Sequence, residues 1–122
     1  MSEKVRRPTR VKVLTMKYTI RWLNEDQWYA ERYPDDALGL TERDKALVSL
    51  RADATANEES MRATLLHELL HCCTQATRLD KYITQVEDPE EFFIGQMSPV
   101  LMSVLNDNPN VVAYLLSVGP SE

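Results

Sequence analysis

Hydrophobic and polar residues alternate in the first half of the chain, as they do in strands with one buried face. The alternation is clearest over residues 17–22 and shorter over residues 11–14. Residues 37–41 and 45–51 also predict short strands. Residues 24–36 are more polar and contain interleaved aromatic side chains, which predicts a short helix or an irregular loop. The first half therefore indicates a small sheet.

The second half of the chain changes to helical spacing. No proline or glycine occurs over about residues 58–79, and leucines recur there at helical intervals. A second predicted helix covers about residues 89–105, with a kink expected at Pro99. A third, short helix is predicted over about residues 109–119, with an asparagine cap before it. Strands followed by helices predict an α+β fold, in which a small N-terminal sheet packs on these helices.

The composition is that of an ordinary globular domain, with 122 residues, 43% of them hydrophobic, and a net charge of −5. It excludes disordered, collagen-like and coiled-coil chains. No apolar run approaches the ~20 residues needed to cross a bilayer. Residues 1–21 hold seven basic residues and one acid, whereas the rest is strongly acidic. We therefore predict a flexible basic arm over residues 1–9 and a single domain over residues 10–122, which is not expected to bind nucleic acid.

The two cysteines of the chain, Cys72 and Cys73, are neighbours in the sequence. Adjacent cysteines seldom bridge each other, so no disulfide framework is predicted. The N-terminus also lacks the apolar stretch of a signal peptide. We interpret both cysteines as small core residues of a protein in a reducing, cytoplasmic compartment.

The residues that indicate chemistry are His67, Glu68 and His71, in the motif His-Glu-Leu-Leu-His of the first long helix. Side chains four residues apart on a helix are neighbours, so the two imidazoles can hold one zinc ion. Both histidines of the chain belong to this motif. The glutamate points ~100° away from the first histidine, from where it can reach a water molecule without being a ligand. This arrangement predicts a zinc site with Glu68 as the general base.

The distribution of apolar and polar residues around this helix is the one expected for a core helix that presents a metal site on its other side. Its apolar residues are predicted to lie on the side away from the histidines, with Glu68 at the edge of that arc. The predicted buried arc contains Leu65, Leu66, Leu69, Leu70, Cys72, Cys73, Ala76 and Leu79.

A catalytic zinc site needs a third protein ligand, and the chain has no third histidine. The candidates are the carboxylates that follow the motif, namely Asp80, Glu87, Asp88, Glu90 and Glu91. A rigid element holds a ligand best, which favours the second helix. We favour Glu91 over Glu90 because Gly95 and Ser98 follow it on the same helix face, and small residues let two helices approach closely.

The motif, followed after 19 residues by Glu91, resembles the gluzincin branch of zinc metallopeptidases. The run over residues 90–98 is similar to the third-ligand helix of ImmA/IrrE-type peptidases, and the order of elements is similar to small metallopeptidase-like proteins of phages and prophages. The resemblance implies a minimal zincin-like fold that holds Zn²⁺ through His67, His71 and Glu91. It also implies hydrolysis of a peptide bond with Glu68 as the base.

The substrate predicted by this hypothesis is a peptide or protein, bound in extended form along the strand at residues 45–51. Tyr29, Tyr33 and Tyr82 are candidate partners for the oxyanion, and Gly39 suits either packing or a pocket. The alternative function is a non-catalytic phage accessory protein that uses zinc for stability. Such a protein would have no need of a general base next to its ligands.

Overall fold

The computed structural model of the protein describes residues 6–53, 57–78 and 87–117. The strands are β1 (Arg10–Val13), β2 (Met16–Leu23), β3 (Gly39–Glu42) and β4 (Leu47–Arg51). The helices are α1 (Glu25–Ala30), α2 (Glu58–Thr77), α3 (Pro89–Asp107) and α4 (Pro109–Leu115). The predicted α+β class is confirmed, and α3 continues through Pro99 as one helix. None of the described helices has the length and apolar character needed to cross a membrane.

The four strands form one mixed sheet in the order β1-β2-β4-β3. Strands β1 and β2 form an antiparallel hairpin, β2 and β4 run parallel, and β3 runs antiparallel to β4. Strand β4 is therefore an interior strand with a neighbour on each side. The expectation that residues 45–51 bind a substrate by edge pairing is wrong, because the hydrogen-bonding groups of both its edges are already used within the sheet.

The main core lies between one face of the sheet and the long helices. Alternate residues of a strand point to the same side, which places Tyr18 and Ile20 of β2 beside Val48 and Leu50 of β4. The helices contribute the other side of this core, with Leu65, Leu69, Cys72, Cys73, Met97, Val100, Val104, Val111 and Tyr114. The core thus joins β1, β2 and β4 to the three helices of the second half.

The opposite face of the sheet carries a smaller apolar cluster under α1, formed by Leu23, Trp28 and Tyr33. The helix is capped by Asn24, whose Oδ1 accepts from the backbone N–H of Gln27, while the backbone N–H of Asn24 donates to Oε1 of Gln27, which is a capping box. Trp28 is fully buried and donates from Nε1 to a backbone carbonyl at 2.9 Å. Residues 24–36 therefore supply a short helix that covers the second face.

The predicted basic arm is attached to the domain at Arg7 and Pro8. The Arg7 guanidinium lies 2.7 Å from a carboxylate oxygen of Glu58 and 5.3 Å from the ring centre of Trp22. Nε1 of Trp22 donates to the carbonyl of Pro8 at 2.7 Å. This part of the segment is held against α2 and β2, whereas residues 1–5 lie outside the described residues.

Asn108, at the junction of α3 and α4, ties the helices to the edge of β1. Its Oδ1 accepts from the backbone N–H of Lys12 at 2.8 Å, and its Nδ2 donates to the carbonyls of Lys12 and Val104 at 2.7 and 2.8 Å. The position is the N-cap of α4, as predicted, but the side chain makes no capping bond and binds β1 instead. The amide thus occupies the place of a neighbouring strand.

We expect Asn108→Ala to lower the free energy of unfolding by about 2–3 kcal/mol, because the part-buried backbone groups of Lys12 and the buried carbonyl of Val104 lose their partner. Asn110→Ala is the matched control, since Asn110 is exposed and makes one 3.2 Å bond to the carbonyl of Arg10. Urea unfolding followed by circular dichroism measures both. Equal losses in the two variants would contradict the bridging role of Asn108.

Candidate metal centre

Helix α2 places the His-Glu-Leu-Leu-His motif in its middle, well inside both ends. The helix begins at Asn57, whose Oδ1 accepts from the backbone N–H of Ser60 at 2.7 Å. Two acids in the first turn suit the positive end of the helix dipole. The helix ends at Thr77, two residues earlier than predicted, where Arg78 turns the chain with a left-handed φ of 62°. The motif is therefore held by a regular, capped helix.

The two histidines lie together on the exposed side of α2. Nε2 of His67 is 3.2 Å from Nε2 of His71, and the ring planes cross at 74° with centroids 4.9 Å apart. Two nitrogen ligands of a tetrahedral zinc ion at about 2.0–2.1 Å lie about 3.3 Å from each other. The same distance allows an N–H···N hydrogen bond when one ring carries a proton on Nε2. The pair thus has the spacing of two ligands of one ion.

The buried side of α2 is narrower than the helical wheel predicts. Its buried residues are Met61, Leu65, Glu68, Leu69, Cys72 and Cys73. Leu66 and Leu70, which are predicted to be buried, are 44% and 38% exposed. A helix packed on one sheet face is covered on one side only, so apolar residues at the edge of the stripe remain in solvent. Leu79 lies outside the described residues.

Glu68 faces strand β3 and is only 5% exposed. The Thr41 hydroxyl lies 2.8 Å from Oε1 of this glutamate and donates a hydrogen bond to it. The same hydroxyl lies 3.3 Å from the backbone carbonyl oxygen of Glu68. No described residue donates a hydrogen bond to Oε2. Oε1 is therefore held by the Thr41 hydroxyl, and Oε2 lies beside Gly39 of the same strand.

The close approach of β3 to α2 depends on Gly39. A Cβ atom at this position would lie 2.9 Å from Cγ2 of Thr64, 3.0 Å from Cγ of Glu68 and 3.1 Å from its Oε2. These distances are shorter than ordinary contacts, so a larger residue would push the strand and the helix apart. The sequence predicts that Gly39 serves either packing or a pocket. The structure supports packing, because Gly39 contacts α2 at Thr64 and Glu68.

The cysteines below Glu68 are core residues, as predicted. Cys72 and Cys73 are fully buried and free. Burial, together with the neighbouring Cys73 thiol, raises the pKa of Cys72 to about 12. Burial likewise raises the pKa of Cys73 and, most strongly among its causes, that of Tyr18 to about 12. Both thiols belong to the main core, on the buried side of α2, whereas the two histidines are exposed.

The third ligand is not assembled within the part of the chain that the structure describes. There, no group of three His, Cys, Asp or Glu side chains is close enough to hold a metal ion. Glu87, Asp88, Glu90 and Glu91 are all exposed, and the Asp88 side chain accepts from the backbone N–H of Glu91 as the cap of α3. Asp80 lies outside the described residues.

The expectation that Gly95 and Ser98 let α3 approach the histidine helix closely below Glu91 is wrong. A Cβ atom at Gly95 would meet nothing within 4 Å, and Ser98 on the same face is exposed. The small residues that follow Glu91 thus face solvent and do not bring α3 against the histidine helix. The buried face of α3 includes Met97, and Glu90, seven residues earlier, lies on that side of the helix. What still favours Glu91 over Glu90 is the interval of 19 residues between the motif and Glu91.

The tyrosines considered as oxyanion partners belong to the opposite face of the sheet. Tyr33 donates from its hydroxyl to Oε1 of Glu42 at 2.5 Å. The guanidinium of Arg51 lies over the ring of Tyr29, 5.2 Å from the ring centre. Burial and the bond to Glu42 raise the pKa of Tyr33. The sheet separates both side chains from α2, so neither can serve the histidine pair. Tyr82 lies outside the described residues.

The contact of Thr41 and Gly39 with Glu68 is the part of the site that sequence reasoning missed. A glycine two residues before a threonine in a predicted strand was the available signal, but it does not reveal which helix packs there. Comparison of the chain with protein-family models, curated proteins and solved structures finds no match. What supports a function is therefore the chemistry of α2 and β3 themselves.

Proposed function

We propose that the protein is a zinc-dependent metallopeptidase of minimal zincin-like architecture, related to the gluzincins as the motif implies, and active on peptides or proteins in the cytoplasm. The observation that carries this proposal is the 3.2 Å spacing of the His67 and His71 Nε2 atoms, beside a buried glutamate with one unbonded carboxylate oxygen. The test is hydrolysis of an unstructured protein by the zinc-loaded chain. A chelator should stop the reaction and added zinc should restore it.

The pair of histidines fits two of the three protein ligands of a catalytic zinc site. Zinc, when bound, would polarise the scissile carbonyl and increase the acidity of the attacking water. Among the residues of the chain, Glu68 would transfer the proton. Its Oε2 accepts the proton of that water and then passes it to the leaving amine. Because Thr41 occupies Oε1, the same oxygen performs both transfers.

A substrate would bind along β3 rather than β4, because β3 is the edge strand beside α2. The carbonyl of Leu38 accepts from β4, and the ladder turns the backbone groups of Leu40 to β4 as well. The N–H and C=O groups of Gly39 and Thr41 therefore point away from the sheet. An extended peptide can pair with them as an added strand. The other edge, at β1, is covered by the side chain of Asn108.

We expect Glu91→Ala to weaken zinc binding by at least ~10-fold, because a lost ligand should cost no less than a lost outer-shell partner. The matched control is Glu90→Ala, which removes the neighbouring acid of the same helical turn and should change the affinity by less than about 3-fold. Competition with a coloured chelator measures both dissociation constants.

The reverse order of the two effects would transfer the ligand role to Glu90. If neither substitution weakens zinc binding, both are excluded, and Asp80→Ala becomes the decisive variant. The alternative function, a zinc-stabilised accessory protein without activity, requires that zinc raise the stability of the chain while no substrate is cleaved.

A further inference from the structure

We propose that Thr41 is a positioning residue for Glu68, and that Gly39 provides the space in which the two side chains meet. The inference rests on the proposed function, since it concerns the base of that reaction. Strand β3 would then have two roles, because the same residues that offer their backbone groups to a peptide also hold the glutamate that acts on it.

The hydrogen bond has a defined direction. A threonine hydroxyl carries one proton, and two oxygens of Glu68 lie within reach, Oε1 at 2.8 Å and the backbone carbonyl at 3.3 Å. The shorter contact is to the carboxylate, which is also the stronger acceptor when ionised. Threonine is branched at Cβ and has few rotamers, so the hydroxyl is held in place by its own backbone. The donor is thus fixed relative to the edge strand.

Glu68 has few other restraints. It is 5% exposed, and Thr41 is the one described residue that donates a hydrogen bond to its carboxylate. Cys72 and Tyr18, on the core side of the site, are buried. A buried carboxylate without a donor is unfavourable and tends to move toward solvent. Removing the Thr41 hydroxyl should therefore release Glu68 from its present rotamer.

Gly39 lies next to the second carboxylate oxygen of Glu68, Oε2. Its hydrogen atom faces Cγ and Oε2 of Glu68, where a Cβ would stand only 3.0 and 3.1 Å away. The Glu68 carboxylate consequently lies between Gly39 and the hydroxyl of Thr41, which are two residues apart on β3. Displacement of a reacting group by about 1 Å can cost ~100-fold in rate. The rate should thus respond to Thr41 although this residue transfers no proton.

The test compares Thr41→Val, which exchanges the hydroxyl for a methyl group of similar size, with Thr41→Ser, which keeps the hydroxyl. For the full zinc-loaded chain, we expect Thr41→Val to lower kcat by about 10- to 100-fold with little change in KM or in zinc content. Thr41→Ser should stay within about 3-fold of the original kcat. A kcat for Thr41→Val equal to that of the unmodified protein would overturn the proposal and leave the proposed function intact.

A second measurement does not depend on activity. Side-chain scalar couplings of Glu68 in the zinc-free protein should report one rotamer in the unmodified chain and in Thr41→Ser, and averaging over several rotamers in Thr41→Val. An unchanged single rotamer in Thr41→Val overturns the proposal even if the chain cleaves no peptide. If Thr41→Val does not fold, Thr41→Ala removes the hydroxyl without adding bulk and takes its place in both measurements.

Discussion

Glu68→Gln should lower the rate of peptide hydrolysis by about 10²- to 10⁴-fold while zinc remains bound. Glutamine has the shape of glutamate but cannot take up the proton of the attacking water. Its amide oxygen can still accept the hydrogen bond that Thr41 now donates to Oε1, so the contact between α2 and β3 is kept. Initial rates on a fluorogenic peptide, with zinc content measured by mass spectrometry, test both parts of this expectation.

The matched control for this variant is Glu59→Gln, which removes the same charge from an exposed position in the first turn of α2. It should hydrolyse the peptide at a rate within about 2-fold of the unmodified chain, since an exposed acid of that turn contributes mainly to the helix dipole. Full activity of Glu68→Gln would show that another group acts as the base. A zinc-loaded but inactive unmodified chain would instead favour the accessory role.

His67→Ala and His71→Ala should each weaken zinc binding by more than ~100-fold, because each removes one of two nitrogens that lie 3.2 Å apart. Zinc at 100 times its dissociation constant should stabilise the unmodified protein by about 2.7 kcal/mol and leave the variants almost unaffected at the same concentration. Thermal unfolding with and without zinc measures this difference. The zinc-free variants should unfold close to the zinc-free original, since both histidines are exposed.

Leu70→Ala is the control for the histidine variants. Leu70 directly precedes His71 in the same helix, is 38% exposed and offers no ligand atom. Its substitution should leave the zinc affinity within about 3-fold of the original value, as expected for a partly exposed side chain outside the coordination shell. If His67→Ala bound zinc as tightly as Leu70→Ala, the pair would not be the metal centre.

Local sequence patterns predicted the individual elements well. The alternation of Tyr18 and Ile20 with polar residues indicated β2, and the proline-free stretch with leucines at helical spacing indicated α2. Such patterns work because the side-chain period of a strand or helix is a property of a few neighbouring residues. They were less reliable at the edge of a stripe, where Leu66 and Leu70 remained exposed, since the extent of cover depends on the partner.

In the candidate site, too, the features within one helix could be predicted and the contacts between elements could not. The spacing of His67 and His71 is local, because one helical turn brings them together whatever the rest of the chain does. The expected close packing below Glu91 depends on two helices, because the face that Gly95 presents is set by the rotation of α3 against α2, and Gly95 proves to face open space. Spacing on a single helix cannot determine that rotation.

The sequence by itself determined the α+β class, the helix that carries the motif and the pairing of its two histidines, since each follows from interactions over one or two turns or strands. Only the tertiary structure decided that β3, and not β4, is the edge strand beside α2, and that Thr41 and Gly39 enclose the carboxylate of Glu68. The physical reason is separation along the chain. Thr41 and Glu68 are 27 residues apart, and strand order and helix docking alone bring them into contact.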